Sequence, residues 1–331
     1  MLSSTSGISS VAKISSALSS RAKRGICFFG VLCLLLLPAP IPTQNPPVRP
    51  HITDIDHVRI YVSDFEKSRK FYGTLSGIRD ELPTSCYNAS HTCFRVGWLR
   101  YQGIELDKAP SGETKNWLAE IAFRTDNVAQ MRRYLLARGV AAGKIIKDTY
   151  DKNTLDAHFE VRDPEGTRIS FIQQFGFPID DPPPGAPWHV QLIHAGLIVH
   201  DRPASDHFYK DILGFRPYWH GGMKDDRDDW LSLQVPDGTD WVEYMLNISP
   251  TADKHTLGVM NHIALGVKDI HATQQQFIKN GWTGTEQPKI GRGGKWQLNL
   301  YDPDDTRVEL MEFTPVQKPC CSEYTGPHPK P

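Results

Sequence analysis

A histidine and a glutamate, each set in an otherwise apolar strand, are the residues of this chain best suited to chemistry. His262 lies in Met260-Asn261-His262-Ile263-Ala264-Leu265-Gly266-Val267, and Glu309 in Thr306-Arg307-Val308-Glu309-Leu310-Met311-Glu312-Phe313. Side chains of a strand alternate faces, so His262, Ala264 and Gly266 share one face and Ile263, Leu265 and Val267 the other. Two very small neighbours leave open space in front of the imidazole. Glu309 shares its face with Met311, while Val308 and Leu310 turn the opposite way. An imidazole and a carboxylate on apolar strands suit a divalent metal of intermediate softness.

The elements that position these residues belong to a chain of 331 residues, 39% apolar and 10% aromatic, enough to bury a sizeable core in two domains. The formal net charge is -1 and no long run of one sign occurs, which argues against a nucleic-acid partner. Residues 1–50 stand apart: Arg21, Lys23 and Arg24 precede an uncharged run from Ile26 to Leu37, followed by Pro38-Ala39-Pro40. A basic start, a short apolar stretch and a polar, Pro-rich exit read as an export signal, for a periplasmic or secreted protein. The apolar run is short for a bilayer span, so membrane association requires an uncleaved leader. Cys27 and Cys33 belong to the leader. Cys86 and Cys93 flank a short polar loop, as a hairpin disulfide or as two free thiols, and Cys320 and Cys321 form an adjacent pair.

From His51 onward the sequence repeats. A strand beginning Ile55-Asp56-His57-Val58 is followed by Asp64, a helical pattern and Gly77, and Leu192-Ile193-His194-Ala195 is followed in the same way by Asp201, a helical pattern and Gly214. Leu118-Ala119-Glu120-Ile121 leads to Asp126 and Gly139, and the His262 strand to Asp269 and Gly281. Asp as N-cap and Gly beyond the end punctuate helices. Four units of strand, helix and strands result. They pair at nearly constant spacing: His57 with His194, Glu105 with Glu243, Glu120 with His262, Ser170 with Glu309. Asp163-Pro164-Glu165-Gly166-Thr167-Arg168 recurs as Asp302-Pro303-Asp304-Asp305-Thr306-Arg307, a turn into a final strand. The chain is a duplicated two-unit domain.

Asn261-His262-Ile263-Ala264-Leu265, Tyr301-Asp302-Pro303-Asp304 and Arg307-Val308-Glu309-Leu310 resemble the vicinal oxygen chelate superfamily, over roughly residues 52 to 314. Its members include glyoxalase I, bleomycin- and fosfomycin-resistance proteins, methylmalonyl-CoA epimerase and the type I extradiol dioxygenases. The resemblance implies an α+β fold of two tandem domains, each a pair of βαβββ modules forming a cup of sheet around a metal. The first domain spans residues 51–177, a stiff Pro-rich linker 178–187, the second domain 188–316 and a loosely held tail 317–331. Ligands from the first and last strands of each module imply one divalent ion, Fe2+, Mn2+, Ni2+ or Zn2+, held by His194, Glu243, His262 and Glu309. The first copy keeps His57 and Glu105 but has Glu120 and Ser170 in the other two places, so tight metal binding is expected to be lost there. Modules could also pair across copies, joining His57 and Glu105 to His262 and Glu309. The proline linker favours pairing within each copy.

The His, Glu, His, Glu set resembles glyoxalase I, and implies lyase or isomerase chemistry in which Glu243 or Glu309 removes a proton beside a carbonyl of a small chelating substrate. Export does not suit glyoxalase I itself, whose thiol-conjugate substrate is cytosolic, so a different vicinal-oxygen compound is expected. The subset His194, His262 and Glu309 also matches the iron triad of extradiol dioxygenases. Those enzymes carry a Tyr where this chain has Asn299 and a His near Ile290-Gly291-Arg292, which disfavours ring cleavage. A third reading is a binding protein without turnover, weakened by the intact ligand set. Trp219, Trp230, Trp241, Trp282 and Trp296 make the second cup aromatic as core or rim residues. His220, Arg292, Lys295 and Gln297 are candidates to orient a substrate, although an exposed position is the ordinary expectation for each.

Overall fold

The computed structural model describes residues 47–76, 91–96, 102–110, 117–149, 153, 155–175 and 190–331. Residues 1–46, which include most of the expected export leader, the expected proline linker and Cys86 lie outside them. Among the described residues no helix is long and apolar enough to cross a membrane.

The first copy runs β1 (Ile52–Val62), α1 (Phe65–Ser76), β2 (His91–Val96), β3 (Gln102–Lys108), β4 (Leu118–Thr125), α2 (Val128–Ala137), β5 (Ile146–Thr149), β6 (Leu155–Arg162) and β7 (Arg168–Phe175). The second runs β8 (Gln191–Ile198), α3 (Arg202–Asp206, passing into a π-helix over His207–Ile212), β9 (Arg216–Gly221), β10 (Trp230–Gln234), β11 (Trp241–Met245), α4 (Lys254–Met260), β12 (Ile263–Val267), α5 (Ile270–Lys279), β13 (Lys289–Ile290), β14 (Trp296–Tyr301) and β15 (Arg307–Glu312). Asp201 and Asp269 cap α3 and α5 as expected, but α2 is capped by Asn127, because Asp126 instead accepts from the His51 amide. Gly139, Gly214 and Gly281 take positive φ just past their helices, where a side chain would be strained.

Each copy forms its own sheet, in the orders β2-β3-β1-β4-β7-β6-β5 and β13-β14-β15-β12-β8-β11-β10-β9. Modules therefore pair within copies. In each sheet the first and last strands of both modules are the four neighbours at the centre, β3-β1-β4-β7 and β15-β12-β8-β11. Alternation sends Val308 and Leu310 into the main core and leaves Glu309 and Met311 on the cup side.

The two copies share one continuous core, to which β1, β4, β8 and β12 all contribute. They are also latched reciprocally. Tyr72 of α1 donates to Asp302 at 2.9 Å, and Tyr209, its counterpart, donates to Asp163 at 3.0 Å. The Ser63 amide donates to Asp304 and the His200 amide to Glu165, so each Asp-Pro turn docks on the other copy's first helix.

The tail departs from expectation. Residues 315–331 are laid along the second sheet rather than hanging loose. An extended Pro-rich chain makes no internal hydrogen bonds, and here its polar groups find partners on the cup. Cys320 N donates to Arg292 O, Trp219 Nε1 to Cys320 O, Thr325 N to Tyr218 O and Gln191 Nε2 to Lys330 O. Tyr324 packs on Tyr218 with ring centroids 4.8 Å apart. Cys320 and Cys321 are joined by a disulfide, and Cys93 is also disulfide-bonded.

Candidate metal centre

The four central strands of the second sheet bring His194 (β8), Glu243 (β11), His262 (just before β12) and Glu309 (β15) to one point. His194 Nε2 and His262 Nε2 are 3.0 Å apart. Glu309 Oε2 lies 3.6 and 3.5 Å from them, and Glu243 Oε2 lies 4.0 and 3.5 Å away. Donors bound at about 2.1 Å to a common ion stand roughly 3.0–3.4 Å from one another. The set therefore fits a single ion after a small contraction, with Glu243 the outermost member. His194, His262 and Glu309 are buried.

Local structure fixes the rings. His262 follows directly on α4, a short helix that sequence reasoning missed, and Asn261 locks this junction by accepting from the Ile198 amide at 3.0 Å. His262 exchanges backbone hydrogen bonds with Gly196 of β8, and it is Gly196, rather than Ala264 or Gly266, that makes room for its ring. The space beside Gly266 is filled by Phe313 and Ile193. His262 Nδ1 lies 2.9 Å from both Met260 O and Arg307 Nη2. A carbonyl only accepts and a guanidinium only donates, so Nδ1 serves one of them at a time. The Met260 partnership leaves Nε2 a lone pair for a cation. Burial, with Arg307 adding to it, holds His262 down at about 3, the neutral form a metal requires. Burial pushes Glu309 up, but the facing His194 ring and the Arg307 guanidinium outweigh this and hold it well below the usual carboxylate range. Glu243 is raised by burial and by Glu309, against the pull of His194.

The first cup has the same scaffold and an opposite electrostatic solution. Arg59 stands two residues after His57, as Gly196 stands two after His194. Its guanidinium donates to Glu105 at 2.8 and 2.6 Å and pairs with Glu120 at 3.0 Å. Ser170 donates to Glu120 as well. Burial disfavours a charge on His57, but Glu105, Asp56 and Glu120 outweigh it and raise the ring to about 9. A protonated imidazole cannot ligate. This cup thus carries its own cations, and Cys93, beside His91 and Glu105, is withdrawn from ligation by its disulfide.

The sequence profile of the Glyoxalase/Bleomycin resistance protein/Dioxygenase superfamily matches residues 54–171 and 191–310. The chain belongs to this superfamily. It is similar to the lactoylglutathione lyase of Haemophilus influenzae, 30% identical over 125 residues, which are 37% of this chain and 93% of the relative. In fold it is similar to homoprotocatechuate 2,3-dioxygenase from Brevibacterium fuscum, at 21% identity and a TM-score of 0.59, covering 86% of this chain and 85% of that one. The corresponding dioxygenase from Arthrobacter globiformis is 19% identical at a TM-score of 0.58, with 82% of each chain covered.

In this member of the superfamily the cup opens into a cavity of about 490 Å³, whose walls include Glu243 and Glu309 together with Trp219, Trp230 and Trp241. Trp282 and Trp296 instead pack against the main core. His220 pairs with Asp228 at 2.7 Å and is absent from the walls, whereas Arg292, Lys295 and Gln297 line them. Lys295 is buried, contrary to the expectation of an exposed loop residue. With Leu298 and Leu300 in the core, alternation along β14 puts Lys295, Gln297 and Asn299 on the cup side, a signal that was present in the sequence. The tail supplies Gln317, Lys318, Cys320 and Tyr324 to the same cavity.

Proposed function

We propose that the second cup is the active site of a divalent-metal lyase or isomerase of glyoxalase type, acting on a small substrate that chelates through two vicinal oxygens. The observation that carries this reading is the convergence of His194, Glu243, His262 and Glu309. These four would hold one Fe2+, Mn2+, Ni2+ or Zn2+ ion, which as a Lewis acid polarises the substrate's oxygens. His194 and His262 are fixed by Trp241, whose ring centroid is 4.7 Å from that of His194, and by the α4 junction. Glu309 lies between both rings, 3.6 and 3.5 Å from their Nε2 atoms. Glu243 is farther out and borders the cavity, held by a 3.3 Å hydrogen bond from Ser232, so it is the carboxylate freer to take a proton from the carbon beside a carbonyl and return it to the neighbouring carbon. The tail and the tryptophans line the cavity in which that transfer would take place.

A second reading is supported by the tighter grouping of His194, His262 and Glu309 alone, an extradiol-type iron triad. Asn299 pairs with Glu309 across β14 and β15, where the resemblance leads one to expect a Tyr, and this weakens it. An exported protein, as the leader suggests, would meet either kind of substrate outside the cytosol.

The test is metal content by elemental mass spectrometry on wild type, His262→Ala and His57→Ala, followed by turnover of hemithioacetals without oxygen and of catechols with it. One ion per chain, lost in His262→Ala and kept in His57→Ala, with oxygen-independent isomerisation, is the expected result. Oxygen consumption with a yellow product would move the assignment to the dioxygenase. Wild type that takes up no ion on reconstitution refutes both and leaves a binding protein.

A further inference from the structure

The cavity's cations are unequal. Arg292 is paired with Asp225, Arg307 reaches the His262 ring, Lys318 pairs with Glu323 at 3.5 Å, and Lys289 is exposed to solvent. Lys295 is different. Its side chain is 1% exposed, faces the cavity and forms no ion pair among the described residues. Its ammonium makes one long hydrogen bond, 3.4 Å to Tyr218 Oη, although it has three protons to donate. The rings of Trp241 and Tyr324 each stand 5.1 Å from Nζ, and that of Tyr218 stands 5.6 Å away. Aromatic faces attract a cation but do not replace an anionic acceptor in a desolvated site. Burial accordingly brings Lys295 down to about 7, with Glu309 and Glu243 opposing the fall. Those two carboxylates are directed at the metal position rather than at Lys295.

Resting on the chelation reading above, we propose that Lys295 anchors a negatively charged arm of the substrate, so that the site selects planar anions: molecules presenting two vicinal oxygens and, on the same flat frame, a carboxylate or comparable anion. A flat frame suits walls lined by the aromatic side chains of Trp219, Trp230 and Trp241. The charge requirement follows from an enclosed amine that has no ion-pair partner among the described residues, and that an arriving anion would hold in its protonated form. An anion placed against Nζ gives it the charge-assisted hydrogen bonds that it lacks.

Comenate and kojic acid test this directly. Both are hydroxypyranones with the same pair of chelating oxygens, and they differ in one substituent, a carboxylate in comenate and a hydroxymethyl group in kojic acid. Binding of each to metal-replete wild type, Lys295→Met and Lys295→Arg is measured by calorimetry. Wild type is expected to prefer comenate by about tenfold or more. Lys295→Met, whose apolar side chain refills the aromatic cage, is expected to bind kojic acid within about twofold of wild type and to lose the preference, while Lys295→Arg regains part of it. Equal affinity of wild type for the two probes, or a preference that survives in Lys295→Met, overturns the assignment while leaving chelation intact. If metal-replete wild type binds neither probe, the chelation reading itself fails and the proposal falls with it.

Discussion

A methyl group at Gly196 would test the metal centre without altering a ligand. An added Cβ would sit against His262 Cε1 and Nδ1, more than an ångström inside the 3.4 Å at which ordinary contact begins. The backbone is held there by mutual hydrogen bonds between Gly196 and His262, so the ring is the part that must move. Metal sites tolerate donor displacements of about 0.2 Å, and disturbing the orientation of one ligand lowers affinity roughly 10–100-fold. Overpacking should destabilise the fold by only about 1–3 kcal/mol. Gly266→Ala is the matched control, because its methyl would strike Phe313 and Ile193 and leave the His262 ring alone. Metal affinity from competition with a chromophoric chelator, beside chemical denaturation of the metal-free proteins, separates the two effects. Gly196→Ala should lose at least tenfold in affinity, and Gly266→Ala should lose a similar stability but keep its metal. Wild-type affinity in Gly196→Ala would refute the placement of His262 as a ligand.

Other consequences are equally open to measurement. The folded His57 value of about 9 lies above its ordinary 6.5, so its stabilisation is complete below pH 6.5 and disappears as pH rises through 9, by at most about 3 kcal/mol. Denaturation at pH 6.5 and 9.5 should show this loss in wild type relative to His57→Gln, a difference from which the opposing titration of Lys295 cancels. Arg59→Gly alone leaves the buried Glu120 and the largely buried Glu105 without their half-buried cation and should cost about 3 kcal/mol. Arg59→Gly combined with Glu120→His and Ser170→Glu rebuilds the second cup's ligand set in the first, and mass spectrometry should then find a second ion per chain. Tyr72→Phe and Tyr209→Phe each remove a buried hydrogen bond between the copies, at about 1.5–3 kcal/mol by chemical denaturation, and the double variant should show nearly the sum.

The repeat was legible because it depends on spacing, a local property of the sequence, whereas the candidate set His194, Glu243, His262 and Glu309 was implied by the resemblance and the pairing of modules within copies by the proline linker. What was not legible depends on contacts between distant segments. The space for His262 comes from Gly196 on another strand, so counting small residues on His262's own strand pointed to Ala264 and Gly266 instead. Arg59 stands at the aligned place of Gly196, yet its role as a resident cation emerges only when β1, β3 and β4 lie side by side in register. The tail read as loose because Pro-rich segments lack internal bonding. Its anchorage depends on β9 and on the loop between β13 and β14, which composition does not reveal, and with it the enclosure of Lys295.

The guanidinium in the first cup has a bearing on life under metal starvation. That half of the chain closes its carboxylates around a cation encoded in the gene, so its folding owes nothing to the ion supply. The second half draws four donors together with Arg307 close beside them, and an ion binding there adds to the stability of the folded state. Because the copies share a core and latch reciprocally, the cup that needs no ion packs directly against the one that could hold one. The first copy thus lends the second a shared core and two latches that call on no ion at all.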